Sequence, residues 1–585
     1  MSKESKSQVF KNIFKNLFTV KRSNETWLST LRRVVGIIIP MFVVFYFFGP
    51  SAGVIAIIGS LTPAGLSNSL PLKIRLKVLI VITLIIPACM GLGAMSTIIP
   101  GSLVIIIFLV AFLSTFMYHA IFTGPPGPIN FIFATALGAF LVGTRNVDPY
   151  MVVGITILSA FLSSAISLID VLIDPMRPSR QAVESADEYV DQYMHKVKKL
   201  DEQSSFNRED LARTKSDATR YINRAWSFLK ADKDFSFAKG PEYCTILNKL
   251  EKIHLDYARA LDTNQALSNE FSFEDVKPGD FGTPSAAYKL KTAISANSRP
   301  FFAGLRIAIA CSISTIAVIV LEIGHPYWAL LTSGLILHMF PDRLDSVEKT
   351  ASRVLGDFLG LGLFWLVIPI IAHSPEAAFL LMIVFLLFNE RLSRKNTPLA
   401  IASIVPLVLI VASLGHVTVD KVDQLMFDRG IETIIGSTVA VLTIIFVAKT
   451  AEHQMIKHKI ELLFDNLGDL LAHMAVGKIH SERAQMIRNR VSYELMDASD
   501  IFDTAMKEES VENAWKSSAR ALSELGYSSY WLSFSDTEAL RKSASKAHDE
   551  LVVLLDNYPL LAKEAYPVDA EKLDKVRKSL LGEDT

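Results

Sequence analysis

Cysteine is scarce: three residues in 585. Cys89 and Cys311 lie inside apolar runs and Cys244 in a polar stretch, so neither a disulfide framework nor a metal-ligand spacing is offered. The first two read as small apolar filler. A phosphate-cradling loop of the form G-x-x-x-x-G-K-[ST] is also missing, which removes any visible engine for ATP-driven work. His453, His458, His473 and His480 follow one another at spacings of five, fifteen and seven, so no pair falls at i, i+4. A solvated helix surface accounts for them better than a metal does. No basic patch interleaved with aromatics argues for nucleic acid, and no catalytic signature argues for an enzyme or a cofactor. No short apolar core followed by a small-residue cleavage site stands near the N-terminus, so no removed signal peptide is expected. Net charge is absent as well, with 59 basic and 59 acidic residues. That balance excludes nothing, because it averages over blocks of different character.

Half of the residues are hydrophobic and the mean hydropathy is +0.34, high for a chain with 20% charged residues. The two facts imply segregation. Nearly uncharged stretches fill about 31–173 and 302–448, whereas 176–299 and 451–585 hold most of the charge. Runs such as Val78–Pro100 and Met151–Ile169 are long enough to cross a hydrocarbon core of about 30 Å, which takes roughly 20 helical residues. Six spans are expected in each half, at about 31–49, 52–67, 76–98, 101–121, 129–144 and 150–173, then 302–322, 327–340, 354–372, 376–388, 398–415 and 429–448. An even number returns the chain to the side it left. Lys21, Arg22, Arg32, Arg33, Lys73, Arg75, Lys77, Arg343, Lys349, Arg353, Arg391, Arg394 and Lys395 flank the spans on that side, against little more than Arg145, Lys421 and Arg429 on the other. The positive-inside rule therefore makes both polar blocks cytoplasmic.

The halves resemble each other. Leu31–Ile37 (LRRVVGI) parallels Leu305–Cys311 (LRIAIAC), and Pro63 precedes Arg75 by twelve residues, as Pro341 precedes Arg353. The expected fold is all-α: a polytopic membrane protein of two parallel six-helix repeats, each followed by a cytoplasmic helical domain. The corresponding boundaries are an amphipathic N-terminal helix at 1–20, a first repeat at 21–175, a helical domain at 176–300, a second repeat at 301–450 and a helical domain at 451–585. Residues 52–67 and 327–340 give only roughly 20–24 Å of helix. The spans opening at PPGP and carrying Pro398 and Pro406 are interrupted at matching places. Such paired short or broken spans point to a transporter's binding site, with helices that merely pack as the bland alternative.

In the N-terminal helix Val9, Phe10, Ile13, Phe14, Leu17 and Phe18 share a face, with Lys11 and Lys15 away from it, which suits a membrane surface or a docking contact. The polar blocks carry helical stripes, Val183 to Leu200 and Ile456, Ile460, Leu463, Leu467, Leu470 and Met474. Two helical hairpins or small bundles packed on each other follow from them, with a loop at Phe273–Ala287 between.

Ionisable groups in membrane spans are costly and often functional. Arg75 and Arg353, at equivalent span starts, read either as a cationic mouth for anions or as snorkelling anchors. Asp357 follows Arg353 by four residues, an intrahelical ion pair or a protonatable carboxylate. Asp170 and Asp174 read as a cluster with Arg177 and Arg180, Arg429 and Glu432 as a second pair, and His119 and His338 as packing or titrating histidines. Glu322 and His325 fall in the turn before Tyr327 and Trp328, two aromatics that an interfacial belt explains in part.

His325–Gly360 resembles the signature of the fusaric acid resistance and aromatic acid exporter family, a Tyr-Trp-Ala-x-x-Thr helix start followed by an Arg-x-x-Gly-Thr helix start. Tyr327, Trp328, Ala329, Thr332, Arg353 and Gly356 carry the match, and Asp357 stands where that family usually has threonine. The resemblance implies proton-motive-force-driven efflux of small aromatic or other weak carboxylic acids across a bacterial inner membrane, with a periplasmic adaptor and a homo-oligomer among the expected partners. On that reading Arg353, Arg75, Trp328, Tyr327 and Thr332 bind substrate, while Asp357, Glu322 and His325 carry protons. The chain is also similar to the plant aluminium-activated malate transporters, which implies a passive organic-anion channel instead.

Overall fold

A computed structural model describes residues 19, 27–66, 70–99, 101–121, 127–202, 208–235, 240–263, 283–323, 327–338, 343–373, 375–393, 395–413, 419–447, 451–507, 513–534, 536–563 and 568–582. Among these residues the chain is helical throughout and holds no strand. The amphipathic helix expected at 1–20 lies outside the described residues, apart from Thr19. The chain divides into two compact units, one of Met1–Asn68, Arg75–Asp170 and Arg299–Lys449, the other of Ser69–Ile74, Val171–Ser298 and Thr450–Thr585.

The first unit contains α1 (Trp27–Phe48), α2 (Pro50–Ala64), α3 (Leu72–Met95), α4 (Ser102–Ile121), α5 (Ile129–Gly143) and most of α6 (Pro149–Ile173). It continues with α11 (Arg299–Val320), α12 (Tyr327–Leu337), α13 (Arg343–His373), α14 (Pro375–Leu392), α15 (Thr397–Ser413) and α16 (Val419–Val447). Seven of the described helices are long and apolar enough to cross a membrane. Large apolar side chains point outward from them, Phe42, Leu84, Leu109, Phe161, Trp365 and Leu442 among them, while Ser, Thr, Arg and Asp are buried within. That inversion is what hydrocarbon solvent selects: it rewards no burial of apolar surface but forces polar groups to find partners inside the protein. Together the helices and their apolar exterior identify a multi-pass membrane protein.

Four helices are short. Ala52–Ala64, Ile129–Gly143, Tyr327–Leu337 and Thr397–Ile410 are apolar but have fewer than 18 residues. The shortest, α12, is 11 residues long and buries all of them except Leu335. Glycines let the backbones close around these short helices. A side chain at Gly436 on α16 would collide with the Ala329 carbonyl and Thr332 of α12, and one at Gly59 on α2 with Ser159 and the Thr156 carbonyl of α6. Gly356 and Gly360 likewise face Ile401 and Val405, joining α13 to α15, and Gly138 faces the Met90 carbonyl, joining α5 to α3. Small-residue approach of this kind is the usual means of tight helix association in lipid.

Contacts between the halves pair up. Phe42 of α1 meets Phe379 of α14 edge-on at 5.2 Å, and Phe301 of α11 meets Phe112 of α4 edge-on at 5.4 Å. Arg32 of α1 donates to the Leu66 carbonyl just beyond α2 at 3.1 Å, and Arg306 of α11 donates to the Leu337 carbonyl at the end of α12 at 3.1 Å.

The second unit holds α7 (Arg177–Glu202), α8 (Arg208–Asp232), α9 (Pro241–Thr263) and α10 (Ala286–Ala293), then α17 (Ala451–Ala475), α18 (Glu482–Lys507), α19 (Asn513–Leu532), α20 (Glu538–Lys563) and α21 (Ala570–Leu581). Its two sequence blocks share one core: Val190, Ile222 and Trp226 are buried in the same cluster as Ile456, Ile460, Leu463, Leu467, Leu470 and Met474. The loop expected over Phe273–Ala287 ends earlier, because Ser285 accepts the Tyr288 amide and starts α10 at Ala286.

Candidate functional site

Two span boundaries differ from the hydropathy reading, and the difference moves the key charges. α13 starts at Arg343 and α16 at Val419, so Arg353 and Arg429 stand three turns inside their helices, about 15 Å from the start of each. Neither stands at the start of its helix. Hydropathy marks where charge stops, not where a helix begins, and these arginines are tolerated inside because they pair.

They pair on one carboxylate. Arg429 Nη2 donates to Asp357 Oδ1 at 3.1 Å, Thr433 Oγ1 donates to Oδ2 at 2.7 Å, and Arg353 Nε lies 3.3 Å from Oδ2. The expected i, i+4 pair is thus present, but as one side of a bridge between α13 and α16. The Asp357 side chain is 1% exposed. Trp328, from the short α12, lies under the Arg429 guanidinium with 4.2 Å to the ring centroid, a cation–π contact in a dry setting. Tyr327 stacks beside Trp328 at 4.7 Å, and both are buried, which corrects the interfacial-belt reading of these two aromatics. Thr332, one turn along α12, is fully buried and packs where α16 offers Gly436. Glu432, also fully buried, comes one turn after Arg429 and brings a second carboxylate into electrostatic reach of Tyr327.

Two arginines sharing one aspartate leave donors over. Arg429 Nη1 and the Thr332 hydroxyl are buried and meet no hydrogen-bond partner among the described residues, and Arg353 Nε meets Asp357 as an ion pair without hydrogen-bond geometry. Buried polar groups are nearly always satisfied, and spare donors clustered around two guanidiniums mark a place where an oxyanion fits. Of the residues singled out from the sequence, Arg353, Asp357, Trp328, Tyr327 and Thr332 come together here. Arg429, Thr433 and Glu432 complete the group. The i, i+3 spacing of Arg429 and Glu432 was visible in the sequence, but their convergence on Asp357, 72 residues away, was not.

Two of the described residues, Arg75 and Glu322, do not join. Arg75 is fully buried in a different cluster, with Asp170 at 3.0 Å and the Ser167 carbonyl as partners. Arg32 reaches the same Asp170 at 3.0 Å, so Asp170 serves α1 and α3, while Asp174 accepts the Arg177 backbone amide at 3.1 Å and pairs with the Arg180 guanidinium at 3.4 Å. Glu322 is exposed in a turn after α11, its backbone left-handed at φ 53°. His325 lies outside the described residues. His119 and His338 sit apart from the cluster, each packed against the Tyr118 ring.

Residues 300–443, from α11 into α16, match the family model described as fusaric acid resistance protein-like. All eight residues of the cluster fall inside the matched segment. The fusaric acid resistance-like match suggests a membrane transport or efflux role. No curated protein and no solved structure matches the chain.

Proposed function

We propose that the chain exports small aromatic or other weak carboxylic acids, driven by the proton-motive force, and that the Arg353–Asp357–Arg429 cluster is where the acid binds. The observation that carries this reading is a fully buried carboxylate held by two guanidiniums and a hydroxyl, with an aromatic ring beneath one of those guanidiniums. Asp357 occupies the position that a substrate carboxylate would take, and Trp328 the position of a substrate ring. A planar aromatic acid combines both in one molecule.

Charge balance links binding to protons. Arg353 and Arg429 bring two positive charges to the group and Asp357 and Glu432 two negative ones, so the formal charges cancel with both acids ionised. An added anion leaves one negative charge uncompensated in a poorly polarisable interior, which costs several kcal/mol unless a carboxyl group takes a proton. Asp357, displaced from Arg429 by the substrate, is the group we assign to that proton. Export follows when Asp357 takes the proton from the outer side as substrate enters from the inner side, and returns it inward as substrate leaves.

The remaining features belong to the same reading. Two six-helix repeats in parallel orientation are supported by the matched aromatic contacts, by the matched Arg32 and Arg306 hydrogen bonds and by the glycine approaches of the short helices. We assign the second unit to the cytoplasm and the membrane to the bacterial inner membrane on the distribution of Lys and Arg. Uptake of labelled 4-hydroxybenzoate into proteoliposomes tests the function. Accumulation that requires an imposed pH gradient and is lost in Asp357→Asn supports it. Flux that follows a membrane potential alone and survives the substitution replaces the exporter with an anion channel.

A further inference from the structure

The buried cluster is one end of a longer series of contacts within the first unit. Trp328, under Arg429, packs on Tyr327 at 4.7 Å; Tyr327 packs on Phe140 of α5 at 4.9 Å; and the Arg145 guanidinium lies over the Phe140 ring at 5.8 Å. Phe133, about two turns earlier on α5, widens the aromatic surface, with its ring 6.2 Å from Trp328 and 6.3 Å from Tyr327. Centroid separations of this size are those of favourable aromatic pairs.

Arg145 owes its place to the end of α5. The Arg145 amide returns to the Phe140 carbonyl at 3.3 Å, the Thr144 amide to the same carbonyl at 2.9 Å, and Asn146 adopts a left-handed conformation at φ 52°. Asparagine tolerates that region better than other residues with a side chain. This turn folds the exposed arginine back over the ring five residues before it, so the series has an open end at Arg145 and a closed end at Arg353. Cations stand at both ends, with aromatic faces between them.

We propose that this series is the route by which an aromatic carboxylate passes between the buried cluster and the surface at Arg145. Arg145 is a second carboxylate station, and Phe140, Tyr327 and Trp328 make the route selective for aromatic over aliphatic acids. The proposal rests on the anion-transport reading above. Along the route the substrate ring takes the place of one protein ring against the next, and its carboxylate passes from one guanidinium to the other. An aliphatic acid of the same size and charge finds the arginines but gains nothing from the ring faces or from their cation–π partners.

The test compares benzoate with cyclohexanecarboxylate, equal in charge and close in size, in proteoliposomes of the full chain. Wild type, Phe140→Leu, Arg145→Gln and Arg145→Lys are measured at low and moderate salt. Phe140→Leu is expected to lower the benzoate-to-cyclohexanecarboxylate rate ratio about three- to tenfold. Arg145→Gln is expected to slow both acids several-fold at low salt and to flatten the salt dependence, since an exposed cation attracts anions over about a Debye length; Arg145→Lys restores much of the rate. Arg145 is exposed, so its substitution leaves the packed interior untouched. An unchanged ratio in Phe140→Leu, or an unchanged rate and salt dependence in Arg145→Gln, overturns the route while leaving anion transport intact. Failure of the wild type to move either acid overturns both readings.

Discussion

Each half of the membrane unit bridges its third and sixth helices with an aspartate and two arginines, and the two bridges are built the opposite way round. In the first half the acid, Asp170, is on α6 and takes Arg75 from α3 and Arg32 from α1. In the second half the acid, Asp357, is on α13 and takes Arg353 from its own helix and Arg429 from α16. The surroundings differ more than the pairing. Asp170 is 21% exposed, close to the end of its helix, and its arginines are further engaged by the Ser167 and Leu66 carbonyls. Asp357 is 1% exposed. Both bridges leave buried arginine nitrogens without a hydrogen-bond partner, Arg32 Nε, Arg75 Nε and Arg75 Nη1 in the first and Arg429 Nη1 in the second, so what sets the second apart is its depth of burial and the Trp328 ring beneath Arg429.

Substitutions should separate the two. Arg429→Ala strands Asp357 beside a single arginine, and breaking a buried pair in this way costs about 3–5 kcal/mol. A large fall in thermal stability of the detergent-solubilised chain is expected together with complete loss of transport. Asp170→Asn removes the charge that faces buried Arg75, with an expected cost of about 2–3 kcal/mol. Here the melting temperature falls while the transport rate per folded molecule is kept. If that rate falls as far as in Arg429→Ala, the two bridges have the same role and the distinction collapses.

Trp328→Leu removes the ring beneath Arg429 but keeps an apolar filler. A loss of about 1–2 kcal/mol is expected, seen chiefly as a higher KM for aromatic acids, with little change for aliphatic ones. Equal effects on both would reduce Trp328 to packing.

The smallest effect concerns the second unit, which uses burial for stability alone. His254 is buried beneath the Trp226 indole, whose N–H donates to Nδ1 at 3.0 Å, and against the Trp531 ring. Burial pulls its imidazole down to about 3. Below about pH 6.5 the unfolded chain therefore binds a proton that the folded one refuses, so stability falls as pH drops from about 6.5 towards 3, by up to about 1.4 kcal/mol per pH unit. His254→Gln should flatten the melting temperature between pH 6.5 and pH 5; an unchanged slope assigns the acid sensitivity to other groups.

The comparison also explains what could be read from the sequence. Helix character and the short span at Tyr327–Leu337 were legible because apolar runs of given length have few alternatives in hydrocarbon. Arg353 and Asp357 were legible as a pair because four residues is one helical turn. Arg429 was misplaced at a helix end, since nothing local shows that a charged residue inside a span is satisfied by one on another helix. Asp170 was assigned to Arg177 and Arg180 for the same reason: proximity in sequence outweighed partners 95 and 138 residues away, which only packing brings near. Glu322 drew attention by its charge, yet its turn leaves it exposed.

Proton exchange on substrate binding tests the central claim most directly. Calorimetric titration of benzoate into the purified chain, repeated in buffers of different ionisation enthalpy, counts the protons taken up per anion bound. Displacement of Asp357 from Arg429 predicts uptake of about one proton by the wild type and almost none by Asp357→Asn. Binding without proton uptake, or uptake that is the same in the variant, contradicts the assignment of Asp357.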